Sequence, residues 1–436
     1  MIHYVTTNGI GDAWVGNELR VVRAAGIPTV LHAMRPPHQL FFASEWAAAL
    51  HRATRQIYPL PPLRAAASVA LAPVRFGGRF WAALGNALFG ERESPRVRLA
   101  CLAHFLVACD WAAQVRRRAA SEPVAAIHAQ WAHSGASIAM YGAWLLGVPF
   151  SFTGHAADLF RERVALKDKV RRAAFIGCIS TFHRALYKEL GARDDQLEIV
   201  YCGIDPSHFA PRTGPRPDGP PRVLSSARLV PKKGLAHLIE ACRVLRDRGV
   251  DLRCTIGGSG PLEAELRAQV EAAGLADRVT LTGQAITQEE IPAFMHGGDV
   301  YCLPCVRAPD GDVDGLPQML MEAMACGLPV VSTRIAGIPD LVIDGQTGVL
   351  VEPGDPVALA DALQALLADP ARAARLAEAG RAHVLETFDL ATCLEPLLAR
   401  YRSALGARGQ GSGARENGKS TQHSALSTQH STKHAP

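Results

Sequence analysis

Residues 222–256 read RVLSSARLVPKKGLAHLIEACRVLRDRGVDLRCTI. Arg222 to Ser225 reads as a strand, Ser226 to Gly234 as a loop, and Leu235 to Arg248 as a helix stopped by Gly249. Leu252 to Ile256 is the next strand. The chain opens on the same theme: strand Ile2 to Val5, turn Thr6 to Asp12, helix Val15 to Ala25 ended by Gly26, strand Thr29 to Ala33. Strands and helices alternating in this way indicate α/β architecture, with parallel sheets and crossover helices.

Between the two units, Ala210 to Pro221 packs prolines and glycines too densely for helix or strand. The expected organisation is an N-terminal domain over 1–209, a linker over 210–221 and a C-terminal domain over 222–388. A terminal helix over 389–405 returns to the first domain, and a tail without structure covers 406–436. In the second half, further strands are expected near Val279 to Thr282, Val300 to Leu303, Val330 to Ser332 and Val349 to Val351. Helices are expected at Leu262 to Ala273, Met319 to Met324, Pro356 to Leu367 and Ala371 to Phe388.

Composition is that of a globular protein, 48% hydrophobic and 20% charged, and a net charge of +5 does not argue for nucleic acid. Arginines crowd one region: Arg52 to Arg118 holds many, against only Glu91, Glu93 and Asp110. Within it, arginines interleave with Phe76, Phe80 and Trp81, which suits either an anionic membrane surface or an ordinary helical insertion packed on the sheet. The N-terminus shows no export signal, so a cytoplasmic protein is expected, at or near the inner face of the membrane. The uncharged run Ser134 to Gly154 is broken by glycines and Pro149, and reads as a buried helix, Ala136 to Leu146, followed by a strand, Val148 to Thr153. Cys302 and Cys305 have metal-ligand spacing but no second pair beside them, and read as small apolar residues.

Three stretches carry chemistry. In Asp314-Gly-Leu-Pro-Gln-Met-Leu-Met-Glu322, Gly315, Leu316 and Pro317 turn into a helix beginning near Gln318 or Met319. Its exposed amides and dipole form an anion site suited to a diphosphate, through Leu320 and the turn before it. Glu322 lies about one turn inside, and Asp314 faces the same cleft. Arg228 and Lys233 follow a strand whose carboxyl end, in open α/β sheets, borders the ligand crevice; two cations suit a pyrophosphate. Gly258, Gly260 and Leu262 belong to a glycine-rich strand-to-helix turn that lacks full dinucleotide spacing.

Taken in order, these features resemble the large retaining glycosyltransferase family of GT-B fold with a Glu-x7-Glu motif, the family 4-like group 1 enzymes. Asp314 and Glu322 match the two acidic positions, with Asp in place of the first Glu, and Arg228 and Lys233 match the family's Arg-x4-Lys pair. The turns Ala336 to Asp340 and Asp344 to Gly348 match those beside the donor base and ribose. His128 to His133 and Phe150 to Asp158 are most similar to the bacterial exopolysaccharide, colanic-acid-type branch. By that resemblance His155 is the catalytic-site histidine, and Gly9 and Gly11 belong to the first loop, near donor phosphate or acceptor. His128 is placed at a strand end on the acceptor side, and Cys202 departs from a turn usually opened by Asn.

The resemblance implies two Rossmann-like domains facing across a cleft. It implies transfer of a sugar from a nucleoside diphosphate donor, a UDP-sugar, to a glycan or polyprenyl-linked acceptor, with retention. No cofactor or metal is obligatory, and Asp310 and Asp312, despite Asp-x-Asp spacing, are read as a polar loop. Two other readings stand beside this one: a nucleotide-sugar epimerase of similar build, and a catalytically silent sugar-nucleotide-binding protein.

Overall fold

The computed structural model describes residues 1–37, 44–214 and 218–416. Seven strands form the first sheet: β1 Ile2–Thr6, β2 Thr29–Ala33, β3 Arg55–Gln56, β4 Ala126–Gln130, β5 Phe150–Gly154, β6 Phe175–Cys178 and β7 Leu197–Ile199. Six form the second: β8 Arg222–Ser226, β9 Arg253–Gly257, β10 Val279–Leu281, β11 Val300–Leu303, β12 Val330–Thr333 and β13 Val349–Val351. Every ladder is parallel, in the orders β3-β2-β1-β4-β5-β6-β7 and β10-β9-β8-β11-β12-β13. Strands such as β4 and β12 are buried along their whole length, because helices cover both faces of a parallel sheet.

Each order reverses once, between β1 and β4 and between β8 and β11. At such a switch the two crossovers leave on opposite faces, so the loops beyond the strands' carboxyl ends part and leave a crevice. The two domains bring these ends together. Thr181 donates from its amide and its hydroxyl to Asp340, each at 2.6 Å, and Arg161 pairs with Asp310 at 3.1 Å. A side chain on Gly315 would meet the His155 carbonyl at 2.6 Å, so a glycine lets the two backbones approach there.

The strands expected in the second half lie within a residue or so of those observed. The run Ser134 to Gly154 forms a buried helix, Ser134–Leu146, and then β5. Among the described residues no helix is long and apolar enough to cross a membrane. Between β3 and β4 stand the helices Pro62–Phe76, Gly78–Phe89 and Pro95–Arg117, seated through Phe76, Phe80, Phe105 and Trp111. The last helix, Leu390–Glu416, crosses back and packs Leu394, Leu397, Leu398 and Tyr401 against Ile2, Tyr4, Val15 and Leu19. It runs past residue 405, where composition alone ends it, so 406–416 differ from the expected tail. The rest of that tail, 417–436, lies outside the described residues, as do 215–217 of the linker.

Candidate active site

The second domain's half of the site grows from the loop after β8. Tyr301 on β11 accepts from the Ser226 amide at 3.2 Å and donates to the Ser226 carbonyl at 2.9 Å, pinning the point where the loop leaves the sheet. The loop rests on the turn after β9: the Leu229 amide donates to the Ser259 carbonyl at 3.0 Å, and the Leu262 amide to the Leu229 carbonyl at 3.1 Å. Gly258 has φ +127°, and a side chain there would collide with the Ala227 carbonyl; one on Gly260 would meet the Leu229 carbonyl at 2.6 Å. Gly258, Gly260 and Leu262 are therefore the seat that presents Arg228. Arg228 is exposed and has no ion-pair partner among the described residues.

Lys232 and Lys233 turn toward the loop after β11. Lys233 is in contact with Asp314, and Lys232 lies 3.1 Å from Asp314 and 3.3 Å from Asp312. Burial pushes the Asp314 carboxyl up, but the two ammonium groups outweigh it and hold it at about 2. Burial, the largest single influence, lowers Lys233, but the charge and hydrogen bond of Asp314, with Cys305 beside them, together leave it raised, so its charge is held too. Asp314 is buried and both its oxygens are engaged by lysines, an arrangement the motif spacing did not show.

The helix Gln318–Ala325 follows, with Leu316 and Pro317 buried in its approach and Pro317 at the N-cap. Gln318 and Met319 are half-buried in its first turn, where amides have no intrahelical acceptor, and Leu320 is buried beneath them. Glu322 is fully buried: Oε1 accepts from Gln288 at 3.2 Å, while Oε2 has no hydrogen-bond partner among the described residues. Burial raises its carboxyl to about 7, against the opposing bond from Gln288.

Across the cleft, the loop after β1 carries Gly9, at φ +62°, and Gly11, where a side chain would meet Pro37 at 2.6 Å. It leads to Asp12, which accepts from the Trp131 indole at 2.9 Å. Burial raises the Asp12 carboxyl; Trp131 and the charge of Arg228, on the other domain, oppose that rise. His155 directly follows β5, with Trp14 and Trp131 packed on its ring. Its Nε2 lies 2.8 Å from Gln130 Oε1, and the Gln130 amide nitrogen donates to both oxygens of Glu18 at 2.9 Å. Glu18 thus orients Gln130, whose oxygen calls for a proton on His155 Nε2. Nδ1 faces the Cys202 sulfur at 3.9 Å, and burial lowers the imidazole to about 4, so it is neutral at pH 7.

Other expectations change. His128 is not on the acceptor side: it lies within β4, fully buried among Tyr4, Phe175 and Tyr401, bonded to Ser151 at 2.9 Å. It shares a face of β4 with Gln130, two residues on, but Tyr401 of the terminal helix packs against its ring and closes it into the seam. Asp310 and Asp312 part company, one to Arg161 and the other to Lys232. Cys302 and Cys305 are buried thiols, and Cys305 lies 3.7 Å from Asp314. Asp12, Glu18, Gln130 and Gln288 were not singled out from sequence. Each acts through a neighbour distant in the chain, so no local spacing marks it.

Two abutting matches to known families span both halves of this site. The family model for glycosyltransferase family 4 matches residues 79–208, and that for glycosyl transferases group 1 matches residues 208–383. The chain belongs to the group 1 glycosyltransferases. Among curated group 1 relatives, it is 40% identical over 195 residues to the putative colanic acid biosynthesis glycosyltransferase WcaL of Escherichia coli K12, covering 45% of this chain and 48% of that one. It is 36% identical over 239 residues to a GDP-mannose-dependent phosphatidylinositol monomannoside mannosyltransferase of Mycolicibacterium smegmatis, covering 53% and 62%. These matches span about half to three-fifths of the relatives' length. The fold is shared with HepE from Anabaena, solved in complex with UDP, at a TM-score of 0.66 and 18% identity over 92% of this chain and 99% of that one. The GT-B arrangement expected from the sequence is thus the one observed.

Proposed function

We propose that this group 1 chain is a retaining glycosyltransferase. It moves a sugar from a nucleoside diphosphate donor to a glycan or lipid-linked acceptor in the synthesis of a bacterial surface polysaccharide. What supports this reading is that Arg228, without an ion-pair partner among the described residues, and a charge-held Lys233 follow β8, while the helix bearing the unpartnered Glu322 oxygen follows β11, its neighbour at the switch. As the bond to the anomeric carbon lengthens, charge grows on the departing diphosphate. Arg228, Lys233 and the first-turn amides are preorganised to receive it. Glu322 Oε2 accepts from a ribose hydroxyl, and Asp314 positions Lys233 while bordering the donor sugar. His155, neutral, bonds sugar hydroxyls or orients the acceptor. No covalent nucleophile is assigned.

No divalent ion is required in this scheme: Asp310 and Asp312 are each committed to a cation from a different element. For the donor base, the sequence resemblance suggested uridine, while the relative named for GDP-mannose favours guanosine. A thermal-shift panel of UDP-, GDP- and ADP-sugars decides between them.

The activity is tested by incubating the full chain with that donor panel and measuring nucleoside diphosphate release, with and without lipid-linked acceptor. Acceptor-dependent release supports transfer, and the product's anomeric configuration tests retention. A changed free sugar, released together with the nucleoside diphosphate and with no need of an acceptor, makes the protein an epimerase. Binding without turnover makes it a silent binder.

A further inference from the structure

We propose that the three-helix insert between β3 and β4 docks on an anionic lipid bilayer. Each helix buries one stripe in the domain and turns a second apolar stripe outward. On Pro62–Phe76 the outward residues are Leu63, Ala67, Leu71 and Val74, at spacings that place them on one face. On Gly78–Phe89 they are Trp81 and Phe89; on Pro95–Arg117 they are Leu99, Ala103 and Leu106. Leu63 and Val74 are each 88% exposed, Phe89 82%, Leu99 71% and Trp81 60%. Among the described residues, seven of the ten exposed large apolar side chains lie on these helices. A solvated helix face is ordinarily polar, so a concentration of this kind marks a surface that something covers.

Charge identifies the occupant. The acids between β3 and β4 are all engaged: Glu91 by Lys167 and Arg171, Glu93 by the amides of Ala165 and Leu166, Asp110 by Arg64, and Glu122 by Arg55. Arg79, Arg96, Arg98, Arg116 and Arg117 have no acidic partner among the described residues. Arg98 instead reaches the Leu88 carbonyl, beside exposed Phe89, so cation and apolar side chain share a site. A second copy of the chain seated on this face would oppose arginine to arginine. An acidic bilayer answers both features, taking the aliphatic and aromatic tips into its interface and pairing the guanidiniums with lipid phosphates. With no helix able to span a membrane among the described residues, such contact is peripheral.

The test needs no donor or acceptor, so its outcome is independent of the proposed activity. The full chain is sedimented with vesicles of phosphatidylglycerol and phosphatidylcholine, or of phosphatidylcholine alone, at low and moderate salt. Binding to the anionic vesicles is expected, weakened by salt. It should fall roughly tenfold or more in Arg96→Glu/Arg98→Glu and in Leu63→Gln/Val74→Gln. Both variants should unfold at the wild-type temperature, because the altered side chains are exposed; if one fails to fold, the other carries the test. Three results would overturn the proposal: no vesicle binding by the wild type, equal binding to both vesicle types, or sedimentation velocity showing dimers that Leu63→Gln/Val74→Gln abolishes.

Discussion

Glu322 and Asp314 are both buried, eight positions apart, and burial treats them differently because their neighbours differ. Two lysines keep Asp314 ionised, whereas Glu322 has only an amide and its carboxyl rises to about 7. A carboxyl whose folded pKa is raised stabilises the fold below its unfolded value, and that contribution is lost as pH rises through the folded value. Glu322→Gln should therefore stabilise the ligand-free protein above pH 7, by an order of about 3 kcal/mol at pH 8, with the gain vanishing toward pH 4. Melting curves across that range check this, and a gain independent of pH would refute it. The same substitution should weaken donor binding. Arg228→Ala and Lys233→Ala should each lower turnover by about 100-fold or more. They should differ in stability: Arg228 has no ion-pair partner among the described residues and acts on Asp12 only at longer range, whereas losing Lys233 leaves Asp314 with Lys232 alone and lowers the melting temperature. Unchanged turnover at saturating donor would remove either residue from the mechanism.

At the scale of the element, the glycine-rich turn after β9 shows how a local motif can be seen and its work missed. Read as a strand-to-helix turn it suggested ligand contact at Gly258 and Gly260. In the fold, these glycines admit the Ala227 and Leu229 carbonyls, and so hold the loop that carries Arg228. Gly260→Ala forces that loop to move. It should cost about 1–3 kcal/mol of stability and raise the KM for donor, although residue 260 itself need not touch the ligand. A stability loss with unchanged donor KM would show that the loop's position does not matter to binding. Helix Gln318–Ala325 and the strands around it were legible in sequence to within a residue or two, because Gly and Pro bound them.

At the scale of the molecule, the terminal helix Leu390–Glu416 belongs by sequence to the second half and by packing to the first. Tyr401 is fully buried, with Tyr4, His128 and Phe175 around its ring. Tyr401→Ala should cost about 3–5 kcal/mol. The loss should appear as faster hydrogen exchange in β1 and β4, at the far end of the chain. Exchange confined to 390–416 would mean the helix is not part of the first domain's core.

The sequence by itself determined the two parallel α/β units, the break between them and the family's charged positions, because periodicity and Gly/Pro punctuation act over a few residues. Tertiary structure alone decided which charges pair. Asp314 meets Lys232 and Lys233 only because two loops leave adjacent strands at the switch point, and Gln130 reaches Glu18 only because helix and sheet pack face to face. It also decided that His128 is core and that the insert's apolar stripes look outward. The physical reason is common to all of these: a strand or helix is specified by its own residues, whereas a side chain's charge state and exposure are set by whatever the fold brings beside it.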